Sequence, residues 1–525
     1  MKKLLILLLL AIATHSFAQD WPVKKQVMAA KAKGIVFTNI SAFSFVANKT
    51  LPQRGVYQQL KLNTSLLAEL MTKRPDAIRV ILPLSKNITI TCDLVKFSMG
   101  NVKFTENNDG VVENIKIPVT YRGIVISEQK KNTVVLTVNE DYLSAVATMA
   151  DKVIQVTKAD EIDKSSYRLY NSTQLQFPVA SPLECGTINT AAQTSNGIKL
   201  TGELANPLAL RDKCINVFVD CFDSMYQWRN SNTQATVSYV YELFNAVATG
   251  FFNDSLNVQI TAVNVWTTAD HYQSTSSKNG LANLSANWKD NFFGNICVGL
   301  DYSIGGANRG GRAGGIGRIK AVTTNTCPAY DYSGVNTFSA CCYNDLNQGG
   351  DARNYPTGPN ITGTQIDLVM HEIGHLLGAH HTHWCGWKLS SNPDIFGAID
   401  NCAPTEAVNN STPPCSPGPA PANGGTIMSY CSIAGPGQFS DFYNGFGRLP
   451  GNAIRNFIDQ SACILLCVDC FGSINKSNNN NNYAYNKNTN HDIKYENKEE
   501  MGDAPIQQKQ PNENVLFINS QKIKQ

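Results

Sequence analysis

His371-Glu372-Ile373-Gly374-His375-Leu376-Leu377-Gly378-Ala379-His380-His381 is the stretch around which the rest of the chain is organised. His371 and His375 are four residues apart, so on a helix they share one face and can converge on one metal ion. Gly378 is predicted to end that helix, because glycine accepts the left-handed backbone angles that reverse a chain. His381 can then swing back as a third imidazole. Glu372 is one residue round from His371, close enough to the ion to handle a proton without being a ligand. The chain has 8 histidines, and chance assembly of these positions is expected on the order of 10⁻⁵ times per chain. A buried helix whose histidines merely satisfy hydrogen bonds is the bland alternative, and that rarity weighs against it.

An all-imidazole set favours one catalytic zinc ion (Zn2+) and keeps a fourth position for water. Such an ion lowers the pKa of water from about 15.7 to about 7. Glu372 would take that proton as general base and pass it to a leaving amine as general acid. His380 and His383 lack the six-residue step from His375 and are expected beside the site rather than in it. No sequence feature supports a structural calcium ion (Ca2+).

The 525 residues carry 44 basic and 41 acidic side chains, a net charge of +3. That balance points to no nucleic-acid partner and leaves neutral protein substrates open. At this length two folded regions plus tails are expected. Residues 1–18 read as a signal peptide: Lys2 and Lys3 precede the apolar run Leu4 to Ala13, and Ser16-Phe17-Ala18 offers a cleavage site before Gln19. The run falls short of the roughly 20 residues of a membrane anchor, and no later span is long enough. A secreted, extracellular protein with no membrane span is therefore expected. The 15 cysteines fit an oxidising compartment with disulfide bonds, and the odd total leaves at least one thiol outside intrachain pairs.

Residues 19–165 read as a β-rich domain. Ile88 to Leu94 alternates apolar and polar side chains, placing Cys92 on the core side. Further strand-like runs are Ile115 to Val119, Gly123 to Ser127 and Thr133 to Val138, with a short helix expected over Asp141 to Ala150. No catalytic constellation occurs there, and its position suggests a propeptide. Residues 166–211 read as a linker. It contains Ser181-Pro182-Leu183-Glu184-Cys185-Gly186-Thr187, whose thiol could fill the metal's open position or pair in a disulfide.

Residues 212–470 alternate strands and helices. Strands are expected at Ile215 to Val219, Asn257 to Val265 and Asn295 to Leu300. Helices are expected at Thr233 to Phe252, capped by Ser231 or Asn232, and at Leu281 to Trp288. The glycine-rich Gly310 to Gly317 lacks the Lys-Ser/Thr ending of a phosphate loop, and an edge strand beside the cleft is the better reading. The histidine helix is expected from near Thr364. A cysteine- and proline-containing loop runs from Trp384 to Ala422, and a last helix spans Gly451 to Cys463. Residues 471–525 form an Asn-rich tail expected to be disordered.

The elongated histidine motif, followed by Gly425-Thr426-Ile427-Met428-Ser429-Tyr430, resembles the metzincin zinc metalloproteases. The strand-helix order from Cys214, the Trp266 region and the cysteine-rich loop after His381 resemble their reprolysin (adamalysin-like, M12B-like) branch, secreted bacterial members above all. That resemblance implies an α/β (α+β) catalytic domain, with a twisted mixed sheet and an active-site helix, behind a β-rich propeptide domain. It implies zinc ligands His371, His375 and His381, a catalytic Glu372, and Met428 as the Met-turn beneath the metal. The Pro-x-x-Cys-Gly arrangement at Cys185 resembles a cysteine switch. The expected function is a secreted zinc metalloendopeptidase, made as a latent precursor, that cuts protein or peptide substrates and is held by its own propeptide as intramolecular inhibitor. Thr382 stands where reprolysins often carry Asp. Tyr430 lies two residues after Met428, as in astacin-like and serralysin-like enzymes, where it binds zinc or stabilises the oxyanion; simple packing is the other reading. A non-catalytic secreted adhesion or interaction protein on the same scaffold is the rival function. Its mark would be loss of the glutamate or a histidine, and all four residues are present.

Overall fold

The computed structural model describes residues 21–51, 55–150, 152–159, 163–171, 185, 187, 213–270, 272, 275–288, 291–303, 309–320, 340–347, 363–391, 393–408, 412–431 and 441–467. All lie within one compact unit, Met1–Ile474. The expected signal peptide, the Asn-rich tail and most of the expected linker lie outside the described residues.

The first part of the chain begins with helix α1 (Pro22–Ala32) and then strands β1 (Thr38–Ile40), β2 (Phe43–Leu51) and β3 (Gly55–Leu62). Helix α2 (Ser65–Lys73) leads into β4 (Ala77–Pro83), β5 (Thr89–Phe97), and the short β6 (Lys103–Glu106) and β7 (Asp109–Val111). Strands β8 (Val119–Val125), β9 (Thr133–Val138), β10 (Leu143–Met149), β11 (Lys152–Lys158) and β12 (Ser166–Asn171) follow. Among the described residues, ten of these strands join in the order β1-β4-β5-β8-β9-β10-β11-β12-β3-β2. Strand β12 carries this sheet to Asn171, past the boundary expected at residue 165.

Residues Asp141 to Ala150 are not the short helix the sequence suggested. They contain β10, paired antiparallel with both β9 and β11. Leu143, Ala145, Ala147 and Met149 enter the sheet's own core, while Val146 enters the core on the opposite face. Ser144 and Thr148 alternate with the apolar residues of the first face, but the alanines, leucine and methionine there also favour a helix, so local propensity pointed the wrong way.

The second sheet holds β13 (Cys214–Cys221), β14 (Asn257–Val265), β15 (Ile296–Asp301), β16 (Gly311–Ala313) and β17 (Cys341–Asp345). Its order is β16-β17-β15-β13-β14-β6-β7, so the hairpin β6–β7 from the first part completes one edge. The strands from β17 to β6 are mutually parallel, and β16 closes the other edge antiparallel to β17. This is the mixed sheet expected, with its glycine-rich strand on the edge. Helices α3 (Asp223–Trp228), α4 (Thr233–Asn253) and α5 (Ser277–Trp288) come before the histidine helix α6 (Gly363–Leu376). The hairpin β18 (Trp387–Ser391)–β19 (Asp394–Gly397) and helices α7 (Asp441–Asn444) and α8 (Arg448–Gln460) follow it. A disulfide from Cys214 to Cys467 ties the start of β13 to the chain after α8.

Helix α4 lies between the two sheets. Asn232 caps it by accepting the Ala235 N–H at 2.8 Å, and every residue from Thr236 to Phe251 is buried. A helix buried on all sides must satisfy its polar side chains internally. Asn245 Nδ2 donates to the carbonyls of Tyr121 and Leu136 and to Thr137 Oγ1. Asn253 Nδ2 donates to Thr133 Oγ1, and Tyr142 donates its hydroxyl to Glu242 at 3.0 Å. All these partners belong to the first sheet or its turns.

Candidate metal centre and active site

Helix α6 is anchored by Ile366, Val369, Met370 and Ile373, all fully buried in the core it shares with α4. That packing fixes the opposite face, which carries His371, Glu372 and His375. The helix stops where predicted: Gly378 has φ +99°, a value L side chains rarely adopt, and its N–H donates back to His375 O at 2.9 Å. The chain then turns and brings His381 beside its predecessors. His375 Nε2 lies 3.1 Å from His371 Nε2 and 3.0 Å from His381 Nε2.

The outer nitrogens decide the protonation. His371 Nδ1 meets the Ile427 carbonyl at 2.6 Å, and His375 Nδ1 meets the Ala379 carbonyl at 2.8 Å. His381 Nδ1 meets the carboxylate of Glu406 at 2.8 Å. Carbonyls and carboxylates only accept, so each Nδ1 carries the proton and each Nε2 is left with a lone pair. Burial, reinforced by neighbouring imidazoles, pushes His371 down to about 3 and His375 well below the usual range; burial also lowers His381. Three neutral rings thus aim three lone pairs at one point, an arrangement that repels itself unless a cation sits between them.

Cys185 occupies the remaining vertex, its Sγ 3.4 Å from His375 Nε2. The four donor atoms all lie within 4.8 Å of one another. A tetrahedral zinc site with Zn–N near 2.05 Å and Zn–S near 2.3 Å has edges of about 3.4 Å between nitrogens and about 3.6 Å from sulfur to nitrogen. The three separations from His375 Nε2, 3.1, 3.0 and 3.4 Å, come within a few tenths of an ångström of those figures, and the donor set of three imidazoles and one thiol fits zinc. The Cys185 thiol is in no disulfide. Burial and the nearby Glu372 push it well above the usual thiol range, which a divalent cation at the vertex would reverse.

Glu372 is fully buried and points at the segment that carries Cys185. Thr187 donates its hydroxyl to Glu372 Oε2 at 3.1 Å and accepts the Ala313 N–H at 2.8 Å. Cys185 also bridges to Gly311 in the parallel sense. Cys185 and Thr187 therefore lie along the edge strand β16, between it and α6. A Cβ on Gly311 would fall 2.3 Å from Glu372 Oε1, so only glycine lets the edge strand approach the carboxylate. Burial pushes the Glu372 carboxyl up to about 8, against lowering hydrogen bonds from Cys185 and Thr187.

Met428 is fully buried and accepts the Thr382 N–H through its carbonyl at 3.0 Å. The residue before it, Ile427, accepts the proton of His371, so this turn orients one histidine and tethers the chain just after another. Tyr430 donates its hydroxyl to the Cys185 carbonyl at 3.3 Å and lies 3.3 Å from His381 Nε2. His380 turns away and stacks on Trp384, with ring centroids 3.7 Å apart. His383 stacks on His381 and meets the same Glu406 oxygen at 3.2 Å. Burial alone would raise the Glu406 carboxyl, yet the hydrogen bonds it accepts from His381 and His383 hold it below the usual range.

The structure thus brings together His371, Glu372, His375, His381, Cys185, Met428 and Tyr430. Sequence reasoning missed Thr187 and Glu406. Thr187 stands two residues after Cys185, and the two residues lie side by side in the cleft. Glu406 lies in a loop without periodicity, 25 residues after His381, and carries no local signal.

Residues 211–442 match the family model Reprolysin_5, metallo-peptidase family M12. Two curated proteins of Naja atra are similar: zinc metalloproteinase-disintegrin-like atrase-B and zinc metalloproteinase-disintegrin-like kaouthiagin-like. Each is 21% identical over 232 residues, 42% of this chain and 34% of the relative. The chain spans about a third of the length of these relatives. Among solved structures, metalloproteinase-II from Bacteroides fragilis shows 13% identity and a TM-score of 0.35, covering 60% of this chain and 85% of that one.

Proposed function

From the premise that residues 211–442 form a reprolysin-like domain of metallopeptidase family M12, we propose that this chain is a secreted zinc endopeptidase in its latent form. The observation that carries the reading is the convergence of three imidazole lone pairs beside a buried glutamate, with a thiol on the fourth vertex. His371, His375 and His381 are the metal ligands. When bound there, zinc supplies Lewis acidity, polarising a scissile carbonyl and lowering the pKa of water.

Glu372 is the general base. Beside a bound divalent cation and with Thr187 withdrawn, its carboxylate would take the proton of the attacking water and pass it to the leaving amine. The edge strand β16 offers main-chain groups to an extended substrate, as the Ala313 N–H now does to Thr187. Tyr430 directs its hydroxyl at a carbonyl in the cleft, here that of Cys185. In the active form that donor faces the oxyanion of the substrate. Met428 and Ile427 hold the floor and the orientation of His371.

Latency has two contacts in this reading. Cys185 takes the position that water needs, and Thr187 occupies the carboxylate that would accept the water's proton. The first sheet is the propeptide that presents them. Export rests on the signal-like residues 1–18 and on disulfides such as Cys385–Cys415. Among the described residues, no helix is long and apolar enough to cross a membrane.

The test is Glu372→Ala in a precursor activated by cleavage. Zinc content and circular dichroism should stay as in the parent, while peptide-bond cleavage falls by about 10²–10⁴-fold. Retained cleavage would remove Glu372 from the mechanism.

A further inference from the structure

We infer that Glu406 is a positioning residue of the metal centre: it fixes the ring of His381 and keeps its inner nitrogen free to bind the metal. The inference rests on the reading of His371, His375 and His381 as zinc ligands.

The three histidines are braced unequally. His371 and His375 sit on α6, and main-chain carbonyls, Ile427 O and Ala379 O, hold their outer nitrogens. His381 lies beyond Gly378, outside the helix, where no helical backbone defines its ring. Its outer nitrogen is held instead by Glu406 Oε1 at 2.8 Å. A carboxylate on the outer N–H fixes the tautomer and the ring plane, and makes the inner nitrogen more basic than a carbonyl partner does.

Glu406 is itself held against this region by its main chain. Its N–H donates to the His383 carbonyl at 3.0 Å, and its own carbonyl accepts the Cys385 N–H at 2.9 Å. The neighbouring Thr405 donates its hydroxyl to the Cys415 carbonyl at 2.7 Å, and a disulfide joins Cys385 to Cys415. The loop after the third histidine is therefore stapled back onto the residues that follow it, with one carboxylate oxygen delivered to the ligand. His383 shares that oxygen at 3.2 Å and lies nearly parallel to the His381 ring, an interplanar angle of 11°. The pair of rings and the carboxylate form a backing for the one histidine of the three that lies outside the helix.

A loop that merely stapled the fold would affect stability and leave metal affinity alone, and that difference is measurable. Zinc affinity of the full chain would be measured by competition with a chromophoric chelator, in parallel with the visible spectrum of the cobalt-substituted protein. Glu406→Ala should bind zinc about 10–100-fold more weakly, with altered cobalt bands. Glu406→Gln keeps an acceptor without its charge and should fall between Ala and the parent. The inference is overturned if both variants bind zinc within about twofold of the parent and show its cobalt spectrum. Should the Ala variant fail to fold, the Gln variant decides by the same criterion. His381→Ala separates the two levels: if that variant binds zinc like the parent, the ligand reading fails; if it loses zinc while the Glu406 variants do not, only the present inference fails.

Discussion

Each imidazole of the cluster has its outer proton committed to an acceptor that cannot give one back, and this is what fits the cluster to hold a metal rather than to form a hydrogen-bonded knot. At the same scale, Cys185 and Thr187 divide the work of blocking. Cys185→Ala should raise peptide hydrolysis by the uncleaved precursor, because the fourth vertex opens. Thr187→Val removes the donor to Glu372 and leaves the Ala313 N–H without its acceptor. It should raise precursor hydrolysis too, by less than Cys185→Ala, since the thiol still fills the vertex. If neither variant hydrolyses peptide faster than the parent, the segment is not the block. The convergence of the three histidines was legible because helical periodicity converts spacing into direction: four residues put His371 and His375 on one face, and Gly378 made the return of His381 predictable. Glu406 was not legible, because no local rule links a loop carboxylate to a ring 25 residues earlier.

Helix α6 illustrates how an element turns a motif into geometry. Gly378→Ala would place a side chain at φ +99°, costing about 1 kcal/mol or more and shifting the return to His381. Chemical denaturation should show the loss of stability, and zinc titration a weaker site. The strands of the first sheet make a different point. Asp93 is buried between Lys31 of α1 and Arg79 of β4, at 2.6 Å from each. Burial pushes its carboxyl up, but the hydrogen bonds and charges of Arg79 and Lys31 outweigh this and hold it below the usual range. A depressed folded-state pKa means a stabilisation present above the unfolded value, about 3.9, and lost as pH falls through the folded one. The urea midpoint of the parent should therefore drop below about pH 4, and Asp93→Asn, less stable at neutral pH, should show a shallower drop. Parallel acid limbs in the two proteins would contradict this. Strand β10 was misread because Leu143, Ala145, Ala147 and Met149 are good helix formers, although Ser144 and Thr148 alternate with them as in a strand; pairing with β9 and β11 overrode the helical preference.

Over the whole molecule, α4 joins the two sheets, and the hairpin β6–β7 extends the second sheet by pairing β6 with β14. Thr105 donates to Asn264 Oδ1, as does the Asn108 N–H, and Asn107 Oδ1 accepts the Thr267 and Thr268 N–H groups. Strand addition with side-chain locks should outlast a single cut in the connection. With a protease site engineered between residues 188 and 212, the cleaved halves should co-elute on gel filtration and separate only in denaturant. Immediate separation would show that the covalent link, not the interface, holds the first sheet in place. This arrangement was out of reach of sequence reading, which expected a β-rich region followed by a linker; a hairpin that crosses to another sheet leaves no periodic trace. The central claim is a latent zinc endopeptidase with Glu372 as its base. It is tested most directly by measuring peptide-bond cleavage in the zinc-loaded Cys185→Ala chain and in Cys185→Ala/Glu372→Ala. The prediction is cleavage by the first and a loss of about 10²-fold or more in the second, at equal zinc content. Equal cleavage by both, or none by either, would contradict it.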